Sequence, residues 1–205
     1  MAEASRGSAS RADLLELKRE HEVVEEGHRF LDEKRVLLAR ELLSRIARCE
    51  ALQREFETLE RSAHKALIEA TEALGLEELQ LYPPRDGAGF AIRRRHASFL
   101  GIRLPLLEAA ESIPAEPVHR PVIRRPAAET VADRFAPLLE AATRLAAEHA
   151  ALLRIEAEYR KTQRRVRALE KIMLPELIAA RRSLEAALEE QELEEAVRVR
   201  LAVKK

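Results

Sequence analysis

The stretch 10–74, SRADLLELKREHEVVEEGHRFLDEKRVLLARELLSRIARCEALQREFETLERSAHKALIEATEAL, repeats an apolar position every seven residues and contains almost no helix breaker. Counted from Leu17, one column reads Leu17, Val24, Leu31, Leu38, Arg45, Leu52, Leu59, Ala66 and Ala73, interrupted only by Arg45. Its companion reads Leu14, His21, His28, Arg35, Leu42, Cys49, Phe56, Ala63 and Ala70, polar in its early turns. Toward the other end, the column Leu138, Leu145, Leu152, Tyr159, Val166, Met173, Ala180 and Ala187 has no break. Apolar residues spaced by heptads are the mark of a helix that buries one narrow stripe against another helix.

Each helix of roughly 65 residues, rising about 1.5 Å per residue, would reach on the order of 100 Å. No globular core of 205 residues is that long. The two helices must therefore lie on each other, and because a turn-back region joins them, they run antiparallel. The expected fold is all-α dominated: a long antiparallel two-helix coiled coil from the N- and C-terminal segments, with a short central region containing a β-hairpin.

Composition fits a narrow seam with a solvated exterior, since 35% of residues are charged and only 3% aromatic. With 36 basic and 36 acidic residues the chain lacks the positive field of a nucleic-acid binder. No run of about 18 apolar residues could span a bilayer. Arg6 and Arg11, amid Ser and Ala with no apolar core, do not read as a secretory signal. The lone Cys49 makes no internal disulfide, which fits a reducing compartment, and its place in the column reads as a packed thiol.

Residues 1–9 read as a disordered tail, and the first helix, 10–75, opens on a capping box from Ser10 to Asp13 and closes on Gly75. Pro83 and Pro84 end any further turn. The central region, 76–125, holds most of the prolines and a hairpin at about 89–104. In it Phe90 and Ile92 alternate with Ala91 and Arg93, and Leu100, Ile102 and Leu104 with Gly101 and Arg103, on either side of a connection at His96, Ala97 and Ser98. A lone hairpin is marginal in water and should lean on the helices or a partner. Pro114, Pro117, Pro121 and Pro126 then form a linker. The C-terminal helical segment, 126–205, starts between Pro126 and Leu138, with Thr130 plus Asp133 and Pro137 both offering start signals. Pro175 removes a donor and crowds the carbonyl of Lys171, so a local bend is expected there while the heptads continue beyond it.

No phosphate loop of the G-x-x-x-x-G-K-[ST] type and no nucleophile–base arrangement is present, so neither a cofactor nor a catalytic residue is expected. His21 and His28, seven apart on one helix, are too distant to ligate a metal together. The candidate contact residues are basic. Arg164, Arg165 and Arg167 form a collar that could meet acidic loops of a surrounding partner, against the plainer reading of a solvated face. Arg93, Arg94 and Arg95 on the hairpin serve either as edge protection or as a docking point.

Three blocks in this order carry a family resemblance. Leu14-Leu15-Glu16-Leu17-Lys18-Arg19 with Gly27-His28 and Leu31-Asp32-Glu33-Lys34-Arg35 resembles the N-terminal signature of the D subunit of V-type and archaeal-type rotary ATPases. Phe99-Leu100-Gly101-Ile102-Arg103-Leu104-Pro105 resembles that family's central segment. Arg164-Arg165-Val166-Arg167-Ala168-Leu169-Glu170, with Pro175 and Glu189-Glu190, resembles its second signature. The resemblance implies a non-catalytic central-stalk rotor that passes torque between a catalytic head and a membrane ion ring. The implied partners are the A and B subunits of the catalytic head, the F subunit of the central stalk and the C/d subunit that couples it to the ring, with a cytoplasmic location peripheral to the membrane. A prefoldin-like chaperone subunit or a coiled-coil scaffold is the alternative that the helix–hairpin–helix order also fits.

Overall fold

The computed structural model describes residues 10–81, 91–110 and 124–203. The expected tail at 1–9, Pro83 and Pro84, Phe90, and Pro114, Pro117 and Pro121 of the linker lie outside the described residues. The elements are α1 (Arg11–Leu74), α2 (Leu76–Leu81), β1 (Ala91–Phe99), β2 (Ile102–Ala110), α3 (Pro126–Ala168), a π-helical turn (Leu169–Met173) and α4 (Leu174–Val203). The fold is thus helical at both ends with a two-stranded antiparallel hairpin between them. The chain gathers into two compact units, Leu38–Glu158 and the remainder on either side of it, and α1 and α3 contribute to both.

Helix α1 begins as its residues dictate: the backbone N–H of Asp13 donates to Ser10 Oγ at 3.1 Å, occupying one of the orphan donors of the first turn. It stops at Gly75, whose φ of +79° is the left-handed cap that an L side chain would resist. Its inward stripe is the pair of heptad columns, half-buried from Leu14 to Leu59 apart from the fully buried Leu38, and buried at Ala63, Ala66 and Ala70. Only Ala73, past the last buried turn, faces water.

In the unit Leu38–Glu158 the core is mostly alanine. Ala63, Ala66 and Ala70 of α1 and Ala128, Ala141, Ala147 and Ala151 of α3 are buried, with Leu38 and Ile155 the largest side chains sealed within it. Methyl groups at a helix contact let backbones approach closely, and each contributes about 0.8 kcal/mol of burial, so the seam gains more from proximity than from bulk. Three cross-helix ion pairs establish the antiparallel sense, because partners on α3 or just before it fall in number as those on α1 and α2 rise. They are Arg45–Glu148 at 2.8 Å, Glu55–Arg144 at 2.7 Å and Glu78–Arg125 at 2.7 Å.

Helix α3 starts at Pro126, the earliest of the expected positions. A proline at the first helical residue loses no hydrogen bond, and the N–H of Glu129 returns to the Arg125 carbonyl at 3.1 Å. Thr130 is no cap, because its hydroxyl donates back to the Pro126 carbonyl. Pro137 lies inside the helix rather than at its start.

The hairpin corrects the expected connection. The strands join through Leu100-Gly101, not through His96-Ala97-Ser98, and pair from Phe99↔Ile102 out to Ala91↔Ala110. Both turn residues have positive φ, +48° at Leu100 and +83° at Gly101, the signature of a type I′ turn. One face of the hairpin, Ala97, Phe99, Ile102 and Leu104, is apolar and at least partly covered. On α3 a second buried stripe, Thr143, Ala147 and Ala151, runs into Arg154, whose Nη1 donates to the Arg103 carbonyl at 2.6 Å. The hairpin therefore leans on α3, as a two-stranded sheet must lean on something.

The other unit is more polar. Along its α1 face His21, His28 and Arg35 are half-buried, and His28 Nε2 is buried without a hydrogen-bond partner among the described residues. The unit's fully buried side chains among the described residues are Thr162 and Val166 of α3. The pairs Arg11–Glu192 at 2.7 Å and Lys18–Glu185 at 3.8 Å keep the same antiparallel sense.

The heptads do not continue unbroken past Pro175. The N–H of Leu174 donates to the Leu169 carbonyl, five residues back, so the turn before the proline holds one residue more than an α-turn. A ring that cannot donate and crowds the carbonyl four residues before it is accommodated by opening the ladder there. The consequence is a slip of one position. Met173 and Ala180, next in the expected column, are exposed and Leu174 and Arg181 take the half-buried places, while further on Ala187 of the column and Leu188 beside it are both half-buried.

Candidate interaction surfaces

Among the described residues no group of three or more His, Cys, Asp or Glu could hold a metal ion. The chemistry of this chain lies in its charged side chains and its backbone. Arg45, the single break in the Leu17 column, is the centre of a network. Its side chain is only 12% exposed; Nη1 reaches Glu148 Oε2 at 2.8 Å across the seam. Nε lies 2.8 Å from Glu41 Oε1, close enough for ion pairing but out of line for a hydrogen bond. Arg48 adds a second cation to Glu41 at 3.0 Å.

Beside this network sits Cys49, in a groove with Phe56, Leu145 and His149. Burial pushes its thiol above the ordinary value, the negative charge of Glu148 adds to this, and Arg45 and Arg48 oppose it. A thiol so placed stays protonated at neutral pH and is a poor nucleophile.

The two basic clusters expected from sequence are placed differently. Arg164, Arg165 and Arg167 are all exposed on the last turns of α3, and none has an ion pair or hydrogen bond among the described residues. At 100° per residue, Arg164 and Arg167 share one side of the helix while Arg165 points to another. On the hairpin, Arg93 and Arg95 project from the face that also carries Ala97 and Phe99, and Arg94 from the opposite face. Arg95 reaches Glu108 at 4.0 Å, with both side chains about half exposed.

Three positioning groups carry no signal of their own in the sequence. Glu148 and Arg144 are ordinary members of a charged helix until the register places them opposite Arg45 and Glu55. The interruption of an apolar column by Arg45 is the available signal, since a charge on a seam needs a partner. Arg154, which holds β2, has no comparable mark.

The family model for the D subunit of ATP synthase matches residues 13–204. The A-type ATP synthase D subunit of Pyrococcus furiosus is 31% identical, covering 98% of this chain and 94% of its own. The same subunit of Thermococcus sibiricus is 31% identical over 93% and 90%, respectively. The V-type ATP synthase D subunit of Thermotoga neapolitana is 27% identical over 93% and 94%. The matched region runs from the first turn of α1 to the end of α4 and takes in the seam, the hairpin and the π-turn, and on that ground the chain belongs to the family of ATP synthase D subunits.

Proposed function

We propose that this protein is the central-stalk rotor of a V/A-type ATPase or ATP synthase, a non-catalytic element that carries torque between nucleotide chemistry in a catalytic head and ion movement in a membrane ring. The observation that supports this reading is the cross-bonded antiparallel seam, with Arg45–Glu148 and Glu55–Arg144 in one unit and Arg11–Glu192 in the other. Two helices tied at intervals resist twisting better than one, which is what transmission requires. No described helix is long and apolar enough to cross a membrane, which suits a peripheral place in the complex.

In this reading the A and B subunits of the head surround part of the paired helices, and the F and C/d subunits engage the remainder. The exposed Arg164, Arg165 and Arg167 meet acidic loops of the head and help define resting angles. The test is the double substitution Arg164→Glu with Arg165→Glu in the assembled complex. Assembly should persist while ion pumping per ATP hydrolysed falls, and unchanged coupling would remove the collar from the mechanism. Purification of the chain without any nucleotide-binding subunit would remove the rotor reading itself.

A further inference from the structure

The two edges of the hairpin are not alike. In a turn of two residues the flanking pair, here Phe99 and Ile102, is bonded across the ladder, and bonded and non-bonded pairs then alternate. The N–H and C=O groups of the non-bonded pairs point outward, along the edges. On β2 these belong to Arg103, Pro105 and Leu107, and on β1 to Ser98, His96, Arg94 and Ile92. The Arg103 carbonyl, predicted by this parity to face outward, does so: it accepts from Arg154.

The β2 edge is thus blocked at Arg103 and Pro105, its two outward positions nearest the turn. Pro105 has no N–H to offer at its outward position, and Arg154 occupies the neighbouring carbonyl. The β1 edge has neither device. It contains no proline, and its outward groups at Ile92, Arg94, His96 and Ser98 have no backbone or side-chain partner among the described residues. Such an edge is a template for another strand.

Charge names the occupant. The hairpin carries four arginines, Arg93, Arg94, Arg95 and Arg103, against the single Glu108. Three of them are consecutive on the open strand and exposed, so guanidinium groups stand on both faces beside the free edge. Side chains directly across a ladder lie about 5 Å apart, where opposite charges attract and like charges repel. With β2 blocked by Pro105 and Arg154, the arginines stand on the open edge alone, where they turn away a basic strand and admit an acidic one.

The geometry points to β1 as the docking edge for an extended acidic segment of a partner protein, which adds a third strand beside Ile92–Ser98 and sets successive carboxylates against Arg93, Arg94 and Arg95. This does not depend on the torque reading. The probe is the capped heptapeptide Thr-Val-Glu-Glu-Glu-Val-Thr, with its lysine counterpart as control, added to the full-length chain while residue-resolved amide exchange is followed by NMR. In the free chain the N–H groups of Arg94 and His96 should exchange without protection. The glutamate peptide should slow them and the lysine peptide should not.

His96→Pro mirrors Pro105 across the ladder and removes one outward donor, so it should weaken binding about tenfold, the worth of one hydrogen bond, while His96→Ala leaves it unchanged. Should the proline variant lose the hairpin, Arg94→Gln with Arg95→Gln keeps the edge intact and should also weaken the glutamate peptide about tenfold through lost pairing. Outward amides already protected in the free chain, no added protection from the glutamate peptide, or equal effects of both peptides would each overturn the assignment.

Discussion

Glu148 of α3 places Oε2 2.8 Å from Nη1 of Arg45 on α1, joining the two helices at the one position where the inward Leu17 column is charged. The pair is largely shielded, with 12% and 24% of the two side chains exposed. Shielding makes the partners mutually dependent rather than strongly stabilising, because much of their attraction offsets the loss of water.

Removing one partner should therefore cost more than removing both. Glu148→Ala should lower the unfolding free energy by roughly 1.5–3 kcal/mol, the range for a lost hydrogen bond to a charged group. Arg45→Leu combined with Glu148→Leu should come back to within about 1 kcal/mol of the native chain or exceed it. Urea unfolding followed by circular dichroism checks both, and a Glu148→Ala chain as stable as the native one would show that the pair is decorative.

Cys49 reports on the same network. Its thiol is held above the ordinary value first by burial and then by Glu148, so Glu148→Gln should lower it and speed alkylation at pH 8. The sign for stability follows from the raised value: the folded chain holds the proton more tightly than the unfolded one. That contribution is complete below the ordinary thiol pKa and is lost as pH rises through the folded value. Iodoacetamide rates on folded and urea-unfolded chain measure the shift, and a native rate equal to the unfolded rate at pH 8 would contradict it.

The extra residue of the π-turn can be removed. Deleting Lys171 should let an α-turn close and bring Leu174, Arg181 and Leu188 into the column that Val166 leads, so the melting temperature should hold or rise. Deleting Lys161, also exposed, rotates everything beyond it by 100° against Ile155 and should lower the melting temperature by roughly 5–10 °C. Thermal melts of the two deletions decide the matter, and equal losses would mean that the wide turn compensates nothing.

Leu100 is a non-glycine residue at φ +48°, a left-handed conformation that costs a leucine more than it costs an asparagine. Leu100→Asn should stabilise the hairpin by up to about 1 kcal/mol, because Asn tolerates the left-handed region. Gly101→Ala should act in the opposite direction through conformation alone, since a Cβ there would meet nothing within 4 Å. Exchange rates of the bonded hairpin amides read both changes.

How much of this is legible in the sequence depends on what each feature needs. The inward face of α1 can be read because a heptad column is a local property, and Leu38, Ala63 and Ala70 lie where the columns put them. The pairing of Arg45 with Glu148 cannot, because columns of period seven match equally well at any shift of seven. Alternation misplaces the hairpin turn because it is the same on either side of a turn, and a leucine in a left-handed conformation gives no warning. Pro175 announces a disturbed helix but not its direction. Whether a ring is met by a bend or by an added residue depends on packing beyond the proline, where Leu174 and Leu188 end half-buried. The basic clusters are visible as charge, whereas their division between the two faces of β1 needs the strand itself.

The alanine seam between Leu38 and Glu158 has a mechanical corollary. The part of the contact built from alanine methyls is smooth, unlike the turns where Leu52 and Phe56 stand on the inward columns: it offers few knobs to catch when one helix is pushed along the other. Sliding is opposed instead at discrete points, where Arg45, Arg144 and Arg125 are pinned to carboxylates across the gap. Under axial load such a pair would behave as a rail with stops, moving little until a stop yields and then by a whole step.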